Sequence, residues 1–331
     1  MKSDFNTIIS NALLVRKNNM YKKVKNIIGS YKDAIDNNKD IFVEANKIDL
    51  RNNNGFDIDF DIFDRIFSNI RNEDVLYGKV TLSSKEDDII YGKELLDTGN
   101  VLLINDGNTY TILEMILKNL LVCNTLIIVN RGYMYGTNHL LVELLKGVLE
   151  QYKIDSNLVS IFETDNIKGV LSKFANIDLV VCIGNHALQT EVLNNSKNRT
   201  IVSGYENFDI YIEDTTHMDF INKIKNLGLT IQYYVKDDIE EEFDNEIRVN
   251  DLDEAIAQIN YNGSRYATCI FTSSPDNASR FIREVKSSHI TVNTSPTIER
   301  LLDIETIDLA LEKTIIYPNS IKLDGTREEI K

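Results

Sequence analysis

Val101-Leu102-Leu103-Ile104-Asn105-Asp106-Gly107, Thr125-Leu126-Ile127-Ile128-Val129-Asn130-Arg131-Gly132 and Leu179-Val180-Val181-Cys182-Ile183-Gly184-Asn185 follow one pattern. Each is a short apolar run closed by a polar, glycine-containing turn. An unbroken run, rather than an alternating one, predicts a strand buried on both faces, as strands of parallel sheets are. Val159-Ser160-Ile161-Phe162 adds another run, and Thr200-Ile201-Val202 a short fifth. Thr111 to Leu121, His139 to Tyr152 and Ile167 to Phe174 carry apolar residues at helical spacing between them. Strand and helix in alternation predict a doubly wound, Rossmann-like parallel sheet over residues 100–204, with right-handed crossovers.

Working toward the N-terminus, Tyr21, Val24, Ile27, Ile28, Tyr31 and Ile35 predict one helix, Ile41 to Ala45 begins a second, and Ile58 to Ile70 a third. The polar stretch Arg51 to Gly55 reads as a loop. Lys79-Val80-Thr81-Leu82 and Ile89-Ile90-Tyr91 flank the polar residues Ser83 to Asp88, which predicts a β-hairpin with an extended loop. Toward the C-terminus, strands are expected at Phe208 to Ile212 (alternating, hence half-buried), Thr230 to Val235, Thr268 to Phe271, Ile290 to Val292 and Lys313 to Tyr317. Helices are expected at Met218 to Leu227, Leu252 to Ile259 (capped by Asn250 or Asp251), Asn277 to Val285 and Ile304 to Leu311. Asp237 to Asp244 reads as a strongly acidic turn or helix.

The chain has 331 residues and a formal charge of −15, with 43% hydrophobic and 26% charged residues. That composition supports a sizeable core and about two domains. The acidic balance argues against broad nucleic-acid or anionic-membrane binding, which needs a basic surface. No apolar run approaches the ~18–20 residues of a membrane span. The N-terminal Met1-Lys2-Ser3-Asp4 leads into a polar segment without a signal-peptide core. Three widely spaced cysteines, Cys123, Cys182 and Cys269, form no C-x-x-C pair, which fits a reducing cytoplasm. His139, His186, His217 and His289 lack metal-ligand spacing, so no metal site is expected. The run Asp237-Asp238-Ile239-Glu240-Glu241-Glu242 reads first as a solvated face.

Several patches, in order, resemble the aldehyde dehydrogenase superfamily, and within it the γ-glutamyl phosphate reductases. Ile35 to Leu50 is similar to that family's "ILAANAKDL" segment. Cys123 to Ile128 and Asn138 to Leu145 are similar to its "GNAVIL" strand and "N-x-x-LVEAL" helix. Asp251 to Asn260, then Gly263-Ser264, resemble "SLDEAIAHIN…GS". Ala278 to Val285 and Ile290 to Asn293 resemble "AERFLREV…VFVN". The resemblance implies an aldehyde dehydrogenase-like α/β fold: the Rossmann-like sheet, a reduced second α/β domain and an oligomerisation hairpin. The implied division is residues 1–205 with the arm at 79–91, then 206–300, then 301–331. It also implies a homo-oligomer (a dimer), held by edge pairing of the hairpin and the last strand.

The same resemblance implies NADPH chemistry through an acyl group on a cysteine thiolate. The family carries "R-P-G-x-C-N" after the strand matching Ile210-Tyr211-Ile212-Glu213-Asp214. Here no cysteine occurs between Met218 and Tyr233. No catalytic residue is therefore assigned. The cofactor-proximal "R-G-G" turns align with Val129-Asn130-Arg131 and Ile183-Gly184-Asn185, where only Gly184 of the two glycine pairs is kept. Asn130, Arg131, Gly184 and Asn185 are the residues that could still meet a nucleotide phosphate, and NADP is the cofactor implied if binding persists. Glu241-Glu242-Phe243 resembles the superfamily's "E-x-F-G-P" turn, with Asp244-Asn245 in place of Gly-Pro. Three functions stay open from the residues: a non-catalytic binding, assembly or regulatory relative with a possible protein partner; an active reductase using Cys182 or Cys269; and a nucleotide-binding module without redox chemistry.

Overall fold

In the computed structural model the apolar runs form two separate parallel sheets, each in its own compact unit. The structure describes residues 5–15, 17, 19–53, 56–86, 89–172, 176–203, 208–225, 231–263, 267–295, 304–318, 321–323 and 326–328. Unit 1 comprises residues 1–183, 190–202 and 304–331, and unit 2 residues 184–189 and 203–303.

Unit 1 opens with helices α1 (Phe5–Leu13), α2 (Val24–Asp36), α3 (Lys39–Asn53) and α4 (Phe60–Arg71). Residues 51–53 of the expected loop are helical, because α3 runs on to Asn53; residues 54 and 55 lie outside the described set. Strands β1 (Lys79–Glu86) and β2 (Ile89–Asp97) pair antiparallel, and the polar stretch expected as loop is mostly strand. The Rossmann-like part follows as β3 (Asn100–Asn105), α5 (Thr109–Val122), β4 (Thr125–Asn130), α6 (Tyr135–Gln151), β5 (Val159–Glu163), α7 (Ile167–Ser172), β6 (Leu179–Ile183), α8 (His186–Asn195) and β7 (Arg199–Ser203). Its strand order is β5-β4-β3-β6-β7. Every residue of β4 is buried, as its continuous apolar run requires. So is every residue of the 14-residue helix α5. Helix α8 was not expected from the sequence, because its Leu188 and Val192 are too few to set a clear apolar stripe.

Unit 2 repeats the architecture: β8 (Phe208–Ile212), α9 (Met218–Lys225), β9 (Ile231–Lys236), β10 (Glu246–Val249), α10 (Leu252–Asn262), β11 (Ala267–Phe271), α11 (Pro275–Glu284) and β12 (His289–Val292). Its sheet order is β10-β9-β8-β11-β12, all pairs parallel. Strand β8 is central and fully buried, not half-buried. Its alternation arises from the buried Asp209 and from Tyr211, which packs against α10 and α11 rather than facing water. Asp251 caps α10 by accepting from Glu254 N at 3.0 Å, which decides between the two candidate caps. Strand β10 was not expected.

The chain returns to unit 1 as one 3-10 turn, Thr306–Leu309, and then β13 (Ala310–Pro318). The helix expected over 304–311 is therefore not formed beyond that turn. Side chains from unit 1 take the segment's carbonyls instead: Lys118 Nζ donates to Ile304 O, and Asn124 Nδ2 and Thr98 Oγ1 donate to Leu309 O at 3.0 and 2.8 Å. β13 pairs antiparallel with β2 of the same chain, giving the sheet β1-β2-β13. Two short strands, β14 (Ile321–Leu323) and β15 (Thr326–Glu328), pair with each other. Ser264, and Phe174, Leu227 and Thr230 at the ends of expected elements, lie outside the described residues. Among the described residues no helix is long and apolar enough to cross a membrane.

Candidate functional site

Ligands of doubly wound sheets bind beyond the carboxyl ends of the strands, so those ends in each unit are the candidate site. In unit 1 the turns after β3 and β4 lock together. Gly107 (φ +105°) and Gly132 (φ +80°) take backbone conformations open to glycine. A Cβ on Gly107 would lie 2.4 Å from Tyr133 O, and one on Gly132 would lie 2.6 Å from Asp106 O. These glycines serve the approach of one turn to the other.

Asn130 is fully buried. Its Oδ1 accepts from Asn138 Nδ2 at 2.9 Å, and Asn138 Nδ2 also donates to Gly107 O at 2.8 Å. Asn138 thus fastens α6 to the β3 turn and to Asn130 at the end of β4. Arg131 N donates to Asn105 O at 2.9 Å, while its guanidinium faces Asp165 (3.6 Å) and Glu191 (3.8 Å). Nearby, His139 pairs with Glu163. The only cation among the four candidate residues therefore already has two acids within ion-pair range.

Helix N-termini at such strand ends attract anions, because their first N–H groups lack partners. Here the chain supplies its own acceptors. Asn108 Oδ1 caps α5, accepting from Tyr110 N and Thr111 N at 3.0 and 3.2 Å. At α6 the buried carboxylate of Asp49 accepts from Gly136 N (2.9 Å), Thr137 N (2.8 Å) and Thr137 Oγ1 (2.7 Å). Sequence reading missed Asp49, since it lies 87 residues before its partner.

Gly184 and Asn185 fall in unit 2. Gly184 N donates to Ser203 O at 3.1 Å, and Gln189 Nε2 donates to both Gly184 O (2.8 Å) and Ser203 O (3.2 Å). Asn185 Oδ1 accepts from Leu188 N at 2.9 Å and so caps α8.

At the strand ends of unit 2, the chain leaves β8 through Glu213, Asp214, Thr215, Thr216 and His217 before entering α9. The family resemblance asks for a thiol after this exit, where Met218 to Tyr233 contain none. The exit itself carries two carboxylates, Glu213 and Asp214. Glu213 accepts from Thr272 Oγ1 and, at 2.6 Å, from Asn277 Nδ2. Asp214 accepts from Ser273 N (2.6 Å), Ser273 Oγ (2.7 Å) and Thr216 N (3.0 Å). Partial burial opposes the charge on Asp214, but these hydrogen bonds outweigh it and hold the carboxyl at about 2.

The three thiols lie elsewhere. Cys123 does not open a strand; it closes α5 in a left-handed conformation (φ 63°) and lines a small recess with Lys17, Tyr21 and Tyr77. Cys182 sits inside β6, and Cys269 inside β11 with its Sγ donating to Thr294 O at 3.1 Å. Their exposures are 2%, 0% and 0%. Burial pushes Cys123 and Cys182 up to about 12 and Cys269 up to about 11, so each is a neutral thiol near pH 7. Among the described residues no cluster of histidine, cysteine or carboxylate side chains could hold a metal ion.

No family model matches the chain. The γ-glutamyl phosphate reductase of Geotalea daltonii is 55% identical over 47 residues, which is 14% of this chain and 11% of that protein. The chain thus spans only a small part of the curated relative it matches. Among solved structures, γ-glutamyl phosphate reductase from Thermotoga maritima superposes with a TM-score of 0.71 at 16% identity, over 97% of this chain and 100% of that one. A glyceraldehyde-3-phosphate dehydrogenase from Methanocaldococcus jannaschii complexed with NADP gives 0.73 at 11% identity, over 95% and 94%. A propionaldehyde dehydrogenase from Clostridium phytofermentans gives 0.72 at 13%, over 96% and 98%. The chain has the aldehyde dehydrogenase-like α/β fold of these enzymes.

Proposed function

We propose that this chain is a non-catalytic relative of the γ-glutamyl phosphate reductases, keeping their fold for a binding, assembly or regulatory role. One observation carries the reading: no cysteine occurs from the end of the strand matching Ile210 to Asp214 as far as Tyr233, where the resemblance asks for an acyl-accepting thiol, and the three thiols present are buried and neutral. A thiolate is the species that attacks an acyl carbon. A neutral, enclosed thiol supplies neither the charge nor the approach.

The nucleotide side supports the same reading. NADP phosphates call for unpaired backbone donors and a free cation. The residues present fit it poorly. Asn130 is interior, Asn185 caps its own helix, and Arg131 faces two acids. Asp49 places a carboxylate at the start of α6, where a second anion would be repelled. In this reading no redox step runs on the chain.

The three-stranded sheet β1-β2-β13 leaves β1 and β13 as edges, with Val80 and Ile316 exposed, and a homo-oligomer through this sheet belongs to the proposal. A reducing cytoplasm is the compartment that three unpaired cysteines suit.

The test is turnover of glutamate-5-semialdehyde with phosphate and NADP, alongside thermal shift with NADP, NAD, ATP and ADP. The proposal expects no NADPH formation above background and no nucleotide-dependent stabilisation. A nucleotide at 100 times its dissociation constant would stabilise by about 2.7 kcal/mol. A shift of that size without turnover would favour a nucleotide-binding module instead. Turnover lost in a single Cys→Ala variant would overturn the proposal.

A further inference from the structure

The acidic loop between β9 and β10 is built rather than slack. Its Ile239 and Phe243 are buried in the unit 2 core. Arg248 donates to Ile239 O and, at 2.8 Å, to Glu241 O; Lys225 Nζ donates to Glu242 O at 2.9 Å and lies 3.7 Å from the Phe243 ring centroid. These two cations hold main-chain carbonyls and leave the loop's carboxylates outward. Asp237, Asp238, Glu240, Glu241, Glu242 and Asp244 are all exposed. Among the described residues only Asp238 of these has an ion pair, with Lys236 at 2.9 Å. Crowding unpaired like charges raises the energy of the free protein and lowers it again when a cation arrives.

A second observation points to an occupant. Tyr233, beneath the loop, is 3% exposed, and its hydroxyl has no hydrogen-bond partner. Its ring packs against Phe243 with centroids 4.8 Å apart. Burial and, after it, the neighbouring Asp244 carboxylate together raise its pKa to about 12. A buried hydroxyl beside a carboxylate is a pair of acceptors, which an ammonium group with its three donors suits.

We propose that loop 237–245 is a docking surface for a lysine-rich segment of a partner protein, one lysine reaching Asp244 and the Tyr233 hydroxyl. The acids are strung along the loop rather than converging on one ion, and no metal cluster occurs among the described residues. An extended polycation matches that spacing better than a single cation. The proposal deepens the binding role proposed above by giving the partner's chemistry. Turnover decides the loss of catalysis and peptide binding decides this surface, so each can fail alone.

The test is fluorescence anisotropy of a labelled oligolysine peptide on the full chain. Glu240→Gln/Glu241→Gln/Glu242→Gln weakens binding about tenfold, and Asp33→Asn/Asp40→Asn/Asp61→Asn, the same charge change elsewhere, by less than about twofold. Tyr233→Phe weakens it about threefold with no change in charge. Removing an unpartnered buried hydroxyl does not harm the fold, and an unchanged melting temperature checks this. Equal losses in the two triple variants, unchanged binding by Tyr233→Phe, or displacement of the peptide by lower concentrations of spermine or magnesium would each overturn the proposal.

Discussion

Asp214 shows how this protein uses its strand ends. Its carboxylate is held by Ser273 and Thr216, and its pKa falls from the ordinary 3.8 to about 2. A carboxyl lowered on folding stabilises the protein above its unfolded pKa, and that contribution is lost as pH drops through the folded value. Asp214→Asn therefore lowers stability at pH 7 by about 1 kcal/mol, after allowing for solvent screening. Urea unfolding from pH 7 down to pH 3 should show the gap to wild type narrowing as the pH falls. The thiols give a second residue-scale prediction. A chromogenic disulfide reagent finds no fast-reacting cysteine in the native chain and all three after denaturation. Local caps such as Asp251 were legible in the sequence because cap and helix are neighbours. Asp49 was not, because nothing in Asn46-Lys47-Ile48-Asp49-Leu50 announces a helix that begins at Tyr135.

At the scale of elements, the chain's own side chains decide where anions and carbonyls are met. Asp49→Ala removes three accepted hydrogen bonds from the first turn of α6 and costs about 2 kcal/mol; Asp49→Asn, which keeps one acceptor oxygen, costs less. Differential scanning calorimetry of both variants reads this order. Lys118 and Glu114 form a buried pair at 2.7 Å inside α5, and Lys118 also holds Ile304 O. Lys118→Ala strands a buried carboxylate and costs about 3 kcal/mol, while Glu114→Gln/Lys118→Met costs much less. The continuous apolar strands were legible because burial on both faces leaves one possible pattern. The segment after Ile304 was misread because Ile304, Ile307 and Leu309 mimic a helical stripe. Ile307 is in fact exposed, and the carbonyls go to Lys118, Asn124 and Thr98.

At the scale of the molecule, two doubly wound units share one plan, and both present partnered acids at their strand ends, Glu191 facing Arg131 in unit 1 and Glu213 accepting from Asn277 in unit 2. The formal charge of −15 and the exposed acidic loop point to association with cations rather than with phosphate. The doubly wound sheet over residues 100–204 was legible because apolar runs alternate with helices, while the aldehyde dehydrogenase-like fold was legible only through the family resemblance. The fate of the candidate cofactor residues was not, since it depends on Asp165, Glu191 and Asp49, each distant in sequence. The central claim concerns sulfur, and intact-protein mass spectrometry after incubation with a reactive acyl phosphate tests it most directly. The account predicts no acyl adduct on the native chain. A stoichiometric adduct, removed by hydroxylamine and mapped to Cys123, Cys182 or Cys269, would contradict it.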